Sequence, residues 1–547
     1  LQELHAIEQE LDIDIVPGTE IMTDVGSHHF VKSSAGVLVP QPSADPHDPL
    51  NWSTKWKTLA MIAATSVSFV QGFGPLALAP TFPLYMKEWD VGIADVVKFT
   101  GNAILVLGFS NFIWVPIAQA FGRRPAYIFS NLIVFGSLIW RARAQSYNSF
   151  MGACILNGIG AGPAESIQPA VIADIFFLHD RGFWNTLYWT AYMGSLMIAP
   201  IISGSMSTRY GWRPFWWFNV AIVGVSLLLV IFCFPETKWH RPHPDEILSG
   251  ASGVGQKEIS PAASHEKDMA SVEKTETRGT MPDLSLSATA QRDPHLGKGF
   301  PSKAQWGLYQ PSPTPLKTIL KELWLPWKLF AFPIVELAAF VVSWSCSSFL
   351  TINLTQSQNF AAPPYNFNPQ NIGFMNFAIF VGAMIGLSTA GPFSDWVSKR
   401  LTLRNRGIRE PEMRLVAMIP YVILMYLGNI IVSVGYEHKW HWAVIVIIGY
   451  TCAGIQVAAL PAMISTYAVD SYKPVAGPLF VAITVNKNVW GYGLSEFITG
   501  WIEKAGYIPP IMTNASLILF FCLCAVPFYF FGKTFRRWSK NSSVHKE

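Results

Sequence analysis

The feature that most constrains this chain is its alternation of long apolar blocks with short polar ones. About 20 consecutive apolar residues suffice to cross a bilayer as a helix. Segments of that kind run over 58–82, 101–121, 126–140, 150–177, 186–206 and 215–234, then over 327–350, 372–390, 415–434, 442–468, 475–501 and 511–531. Arg141 and Arg143 cut the third one short. Only 14% of the 547 residues are charged, against about 25% in soluble chains. An ordinary globular enzyme, a coiled coil and a secreted disulfide scaffold are excluded. The pattern predicts an all-α membrane protein of twelve transmembrane helices in two six-helix halves.

Lys and Arg counts orient these spans, because cytoplasmic loops collect positive charge. With both termini inside, 30 basic residues fall on the cytoplasmic side and 8 outside; without the central loop the split is 18 to 8. The predicted organisation is an N-tail over 1–55, largely disordered, a first half over 56–235, a linker over 236–326, a second half over 327–532 and a C-tail over 533–547. The linker is rich in Ser, Pro, Gly, Lys and Glu, and so buries too little apolar surface to offset its ordering entropy. The polar, acidic first fifty residues predict no cleavable signal peptide.

All six cysteines lie inside apolar segments with no metal-ligand spacing, which reads as small buried hydrophobes. His240 and His243 in the Pro-rich linker read as solvent-exposed. No metal site or cofactor is expected. A net charge of +4 is too small to suggest nucleic acid. The sequence contains no nucleophile elbow, no Walker A sequence and no His-Glu-x-x-His. Enzyme chemistry is not expected, and the energy source is predicted to be an ion gradient.

The two halves carry a matched signal. After the second span comes Val115-Pro-Ile-Ala-Gln119-Ala-Phe-Gly122-Arg123-Arg124-Pro125, and after the eighth Gly391-Pro-Phe-Ser-Asp395-Trp-Val-Ser-Lys399-Arg400. Each is a tight cytoplasmic turn with a basic pair. This pattern resembles the major facilitator superfamily, whose signature there is Gly-x-x-x-Asp-Arg-x-Gly-Arg-Arg. The first copy has Gln119 where the acid is usual, which leaves Asp395 as the main remaining carrier of a charge lock between the halves.

Further motifs resemble the fungal twelve-span drug:proton antiporter group, whose branch also includes polyamine and cation permeases. They are Ser195-Leu-Met-Ile-Ala199-Pro200-Ile-Ile-Ser203-Gly204, Gly211-Trp212-Arg213, Pro235-Glu236-Thr237, Asp48-Pro49-Leu50-Asn51-Trp52 and Glu410-Pro411-Glu412-Met413-Arg414-Leu415. Pro200 and Gly204 are expected to serve helix packing, since small residues let helices approach closely. The family's fourth-span arginine aligns with Cys154, so coupling by that residue is excluded.

Ionisable residues inside spans are costly and are functional candidates by default. Glu165, in Gly162-Pro163-Ala164-Glu165-Ser166, falls near the centre of the fourth span and could alternate between a proton and a cationic substrate. The competing reading is a permanently protonated Glu bonded to a neighbouring helix. Lys487, between Asn486 and Asn488, lies mid-way along the eleventh span. The resemblance places both spans at a central cavity, so a Glu165–Lys487 pair is possible; the alternative is a lysine snorkelling along its helix. Glu336 is a second protonation candidate, against a role as an interfacial carboxylate. Substrate-facing candidates are Asn102, Gln168, Tyr188, Tyr192, Trp344, Gln456 and Asn486, with Gln71, Asn111, Trp189 and Asn376 at similar depth. Arg123, Arg124, Asp174, Arg181, Asp395, Lys399 and Arg400 are candidate gate residues. Glu410 and Glu412 are expected to pair with the basic loop around them.

The function this implies is proton-coupled secondary active transport of small organic molecules by alternating access, most naturally export of drugs or secondary metabolites. Its expected partners are a small-molecule substrate, the proton and the lipid bilayer, for a monomer in the plasma membrane or else a vacuolar one. Uptake of polyamines or other organic cations is the alternative, and a non-transporting membrane sensor is an alternative of another class. The sequons at Asn353 and Asn514 map to the outer side, close to the membrane.

Overall fold

The computed structural model describes residues 20–21, 43, 45–239, 297–309, 314–405, 408–472 and 476–539. They are overwhelmingly helical. The first half comprises α1 (Thr54–Leu76), α2 (Phe82–Trp89), α3 (Ile93–Phe121), α4 (Arg123–Arg143), α5 (Tyr147–Ala161), α6 (Pro163–Ser166), α7 (Gln168–Ile175), α8 (Leu178–Tyr210) and α9 (Trp212–Cys233). The second comprises α10 (Pro315–Leu329), α11 (Pro333–Phe360), α12 (Pro369–Arg404), α13 (Ile419–Glu437), α14 (Trp442–Val444), α15 (Thr451–Ser471), α16 (Ala476–Ala505) and α17 (Ile508–Ser539). A six-residue π-helix, Ile445–Tyr450, joins α14 to α15.

Among the described residues, eight helical stretches are long and apolar enough to cross a membrane. Of the twelve expected, the four around α4, α5–α7, α8 and α16 do not meet that measure. Four arginines charge α4, and Gly162-Pro163 breaks the fourth rod after 15 residues. The expected interruption at Arg141 is not found: α4 runs on to Arg143. Arg141 is wholly buried, its guanidinium 4.7 Å from the Trp216 ring centre, where the aromatic face supplies compensation for lost hydration. Large side chains such as Phe232, Ile423 and Phe530 point outward, as a lipid-facing belt requires.

Small residues set where the halves touch. A Cβ on Gly204 would lie 2.2 Å from the Pro369 carbonyl oxygen, and one on Gly373 would lie 2.6 Å from that of Pro200, so α8 and α12 cross backbone to backbone. On the opposite flank, a Cβ on Gly108 of α3 would lie 2.6 Å from the Asn488 Cβ of α16. Pro200 and Gly204 thus sit at an inter-half crossing. The turn from α3 to α4 needs Gly122 for two reasons. Its φ is +114°, and a Cβ there would fall 2.2 Å from the Glu236 carboxylate.

The described parts of the predicted disordered segments are folded. Asp48-Pro49-Leu50-Asn51-Trp52 forms a compact turn in which Leu50 and Trp52 are fully buried. Asp48 Oδ1 accepts the Leu50 amide at 3.0 Å, the Asx-turn chemistry that local side-chain bonding favours. Residues 297–306 lie against it. Ser53 N donates to the Gly299 carbonyl at 2.9 Å, and Glu236 N donates to that of Gln305 at 2.7 Å. Most of α10 also lies inside the predicted linker; its last three residues fall in the span expected from 327, which instead begins at Pro333. Burial of Leu50, Trp52, Leu325 and Leu329, rather than average composition, decides order in these stretches. His240 and His243 lie outside the described residues. A two-residue antiparallel pairing joins Glu20–Ile21 to Ile408–Arg409. Asn353 and Asn514 are buried within α11 and α17.

Candidate functional site

Pro163 has no amide hydrogen to continue α5, and Gly162 lets the chain pack to within 2.3 Å of a would-be Cβ from Ser110 Oγ. The rod therefore resumes as the short α6, which carries Glu165. Such breaks occur at membrane depth where the chain lines a cavity or is covered by protein. Glu165 is 6% exposed, and its carboxylate gathers donors from two other helices. Lys487 Nζ lies 2.5 Å from Oε1, Asn488 Nδ2 donates to Oε2 at 3.3 Å, and the Tyr192 hydroxyl donates to Oε1. Tyr188 braces α6 from behind, its hydroxyl donating to the Ala164 carbonyl at 2.7 Å.

Glu165 comes from the first half and Lys487 from the second, so the pair spans the junction. Two buried charges cost several kcal/mol each to desolvate, and such a pair persists only with good geometry and further hydrogen bonds; Asn488 and Tyr192 supply them here. A cavity of about 90 Å³ adjoins the pair, lined by Gly72, Leu107, Tyr192, Cys346, Ser347 and Gly491 among others. Sites for drug-sized ligands are roughly 300–1,000 Å³, so in this conformation the cavity is smaller than such a ligand and has room for a few waters.

The other candidates stand away from the cavity. Gln168 accepts from the Tyr127 hydroxyl at 2.8 Å, and Asn102 faces Met151 Sδ at 3.5 Å. Gln456 donates to Ser345, and Asn486 Oδ1 accepts from Ser343 Oγ at 3.0 Å. Trp344 packs on Trp490 with ring centres 4.9 Å apart. Glu336 is half-buried in the first turn of α11. Gln71 bonds Ser130, Asn376 bonds Gln356, and Asn111 bonds carbonyls of its own helix. Trp189 packs beside Tyr192. Asn488 and Cys346 sit at the pair or its cavity without having been singled out. Asn488 carried a signal, since the same turn holds Lys487.

Three of the gate candidates, Arg123, Asp174 and Asp395, take part in a clasp that is repeated in the two halves. Arg123 Nε donates to Asp174 at 3.1 Å and its Nη1 to Gln119 Oε1 at 3.2 Å. In the second half, Arg414 Nε donates to Asp470 at 2.8 Å and its Nη1 to Asp395 at 2.8 Å. Gln119 thus keeps the acceptor of the usual acid, and Asp395 binds inside its own half rather than across the junction. Arg124 donates to the Val230 carbonyl at 3.2 Å, at the end of α9. The Glu236 carboxylate takes the Arg123 and Arg124 amides at 2.9 and 3.0 Å. Arg181 donates to the Phe176 and Ala173 carbonyls at 3.0 and 2.9 Å. Lys399 and Arg400 are exposed, with Arg400 over the Trp396 ring.

Glu410 and Glu412 do not pair chiefly with their own loop. Both grip Arg536 of α17, at 2.6 and 2.9 Å. The C-tail arginine is fully buried because the two carboxylates replace its water. Lys238, next to Glu236, sits with its ammonium 3.2 Å from the Ala120 carbonyl, and burial lowers its pKa.

Two helical halves that meet at a buried ion pair beside a small cavity are the architecture of a membrane carrier. A family model described as Major Facilitator Superfamily matches residues 61–485, and the chain belongs to that family of transporters. The protein HOL1 of Saccharomyces cerevisiae is 27% identical over 557 residues, covering 93% of this chain and 92% of HOL1. An uncharacterised MFS-type transporter of Schizosaccharomyces pombe is 25% identical, covering 96% and 94% of the two chains. The solved proton:xylose symporter XylE superposes with a TM-score of 0.55 at 12% identity, covering 88% of this chain and 96% of that one. That last likeness bears on the fold alone.

Proposed function

We propose that the protein is a proton-coupled secondary active transporter that exports small organic molecules by alternating access. In this reading the chain crosses the plasma membrane twelve times as a monomer, with both termini cytoplasmic. The observation that carries it is the Glu165 carboxylate, held by Lys487 and Asn488 of one half and Tyr192 of the other beside a small cavity. A proton on Glu165 neutralises its charge and releases Lys487, which loosens the junction. A substrate with a cationic centre takes the carboxylate in its turn. Tyr192 and the apolar cavity wall suit the organic body of such a molecule.

The test is tolerance of yeast stripped of its own drug pumps, at outside pH 5 and 7, to a panel of lipophilic amines and toxic metabolites. Surface-localised wild type is expected to raise tolerance several-fold for some members, and Glu165→Gln to abolish the gain. Unchanged tolerance throughout, together with saturable uptake of labelled spermidine that rises at pH 5, sinks the export reading.

A further inference from the structure

We infer that α10 lies in the plane of the membrane surface and binds anionic phospholipid headgroups through Lys317, Lys321 and Lys328. The helix has three separate sides. At 3.6 residues per turn, Leu316, Leu320, Leu323, Trp324 and Trp327 fall within a roughly 100° arc, and all five are exposed, Leu316 at 75% and Trp324 at 62%. The three lysines follow on one flank, also exposed. Leu325 and Leu329 take the opposite side and are buried. An exposed apolar stripe bordered by lysines is the composition of an interfacial helix.

What covers that stripe is fixed by its position. α10 ends at Leu329, and the membrane-crossing α11 begins at Pro333, so the C-terminal end of α10 is held where α11 enters the bilayer. Trp327 stacks on Phe112 of α3, with ring centres 5.3 Å apart. Phe109 and Ile113 of that helix are themselves exposed, so the stripe continues the lipid-facing belt. Between stripe and flank runs a groove of about 370 Å³ lined by Lys317, Leu320, Lys321, Trp324, Leu325 and Lys328. Ammonium groups beside leucine and tryptophan match a phosphate headgroup above its first acyl carbons. The orientation adopted above puts this face on the cytoplasmic leaflet, which is the anionic one. α10 also packs against both α3 and α16, so lipid bound there touches both halves.

The test uses the full-length chain in phosphatidylcholine vesicles doped with a photoactivatable phosphatidylserine or phosphatidylcholine analogue. Crosslinks to residues 315–329 are counted by mass spectrometry. The serine lipid is expected to label that stretch about fivefold more than the choline lipid. K317Q/K321Q/K328Q should bring the ratio to about one, and the corresponding triple Arg variant should retain it. Equal labelling of the wild type by both lipids, or a preference that survives the Gln triple, overturns the proposal. Neither outcome depends on which molecule the protein transports or in which direction.

Discussion

Lys487 and Glu165 close a 2.5 Å contact between helices of different halves, within a carboxylate environment that Asn488 and Tyr192 complete. Removing only one member of a buried pair strands the other, at a cost of about 3–5 kcal/mol, whereas removing both is far cheaper. Lys487→Met is therefore expected to lower the thermal stability of the solubilised protein more than the Glu165→Gln/Lys487→Met double variant does. A double variant that is simply the sum of the two singles contradicts the pairing.

Arg536 makes the same argument at the C-terminal end of α17. Its guanidinium serves two carboxylates at once, with Nε to Glu412 at 2.9 Å and Nη2 to Glu410 at 2.6 Å. A lysine is a point charge without that fork. Arg536→Lys is expected to cost part, and Arg536→Met about 3–5 kcal/mol, in unfolding monitored by denaturant. Equal stability of Arg536→Lys and wild type removes the fork from the account.

The repeated clasp predicts a tolerated change. Gln119 stands beside Arg123 as Asp395 stands beside Arg414. Gln119→Asp is expected to be neutral or to stabilise by up to about 1 kcal/mol. Marked destabilisation shows that the two halves are not equivalent at this turn.

Gly204 has no room for a side chain. Gly204→Val drives its Cβ into the Pro369 carbonyl, 2.2 Å away, and is expected to separate α8 from α12 at about 1–3 kcal/mol of overpacking. Spin labels on the two helices should report a longer distance in the variant. An unchanged distance with unchanged stability refutes the close crossing.

Tyr507, in the turn between α16 and α17, has its pKa pushed up to about 12 by burial, reinforced by Glu437. The unfolded chain releases that proton near 10, so between these values the folded state holds more protons and stability falls as pH rises. Tyr507→Phe should flatten the decline. An identical pH profile in the variant assigns the decline to other groups.

The helical membrane class was legible because bilayer length imposes a period that apolar blocks cannot hide. Glu165 and Lys487 were legible for a related reason, since charge inside an apolar block stands out. The partners of Gln168, Gln456 and Asn486 were not. Each is a neutral amide that can satisfy itself anywhere in a helical core, and sequence offers no way to tell a neighbour-facing amide from a cavity-facing one. Arg536 was misread as a tail charge because its carboxylates lie more than a hundred positions away. Arg141 was misread because its compensation is aromatic, supplied by Trp216 and Phe150.

The hydrogen bond from Glu236 N to the Gln305 carbonyl changes how the length of the central connection should be counted. Both ends of the stretch 237–304 are fastened to the same face of the first half. Whatever is inserted into or deleted from its interior leaves the distance between the two halves untouched. The tether that spans them is only 307–332, and most of that is α10. The connection that limits the second half is therefore the short one that contains the 15-residue α10, and the long central insert adds nothing to its reach.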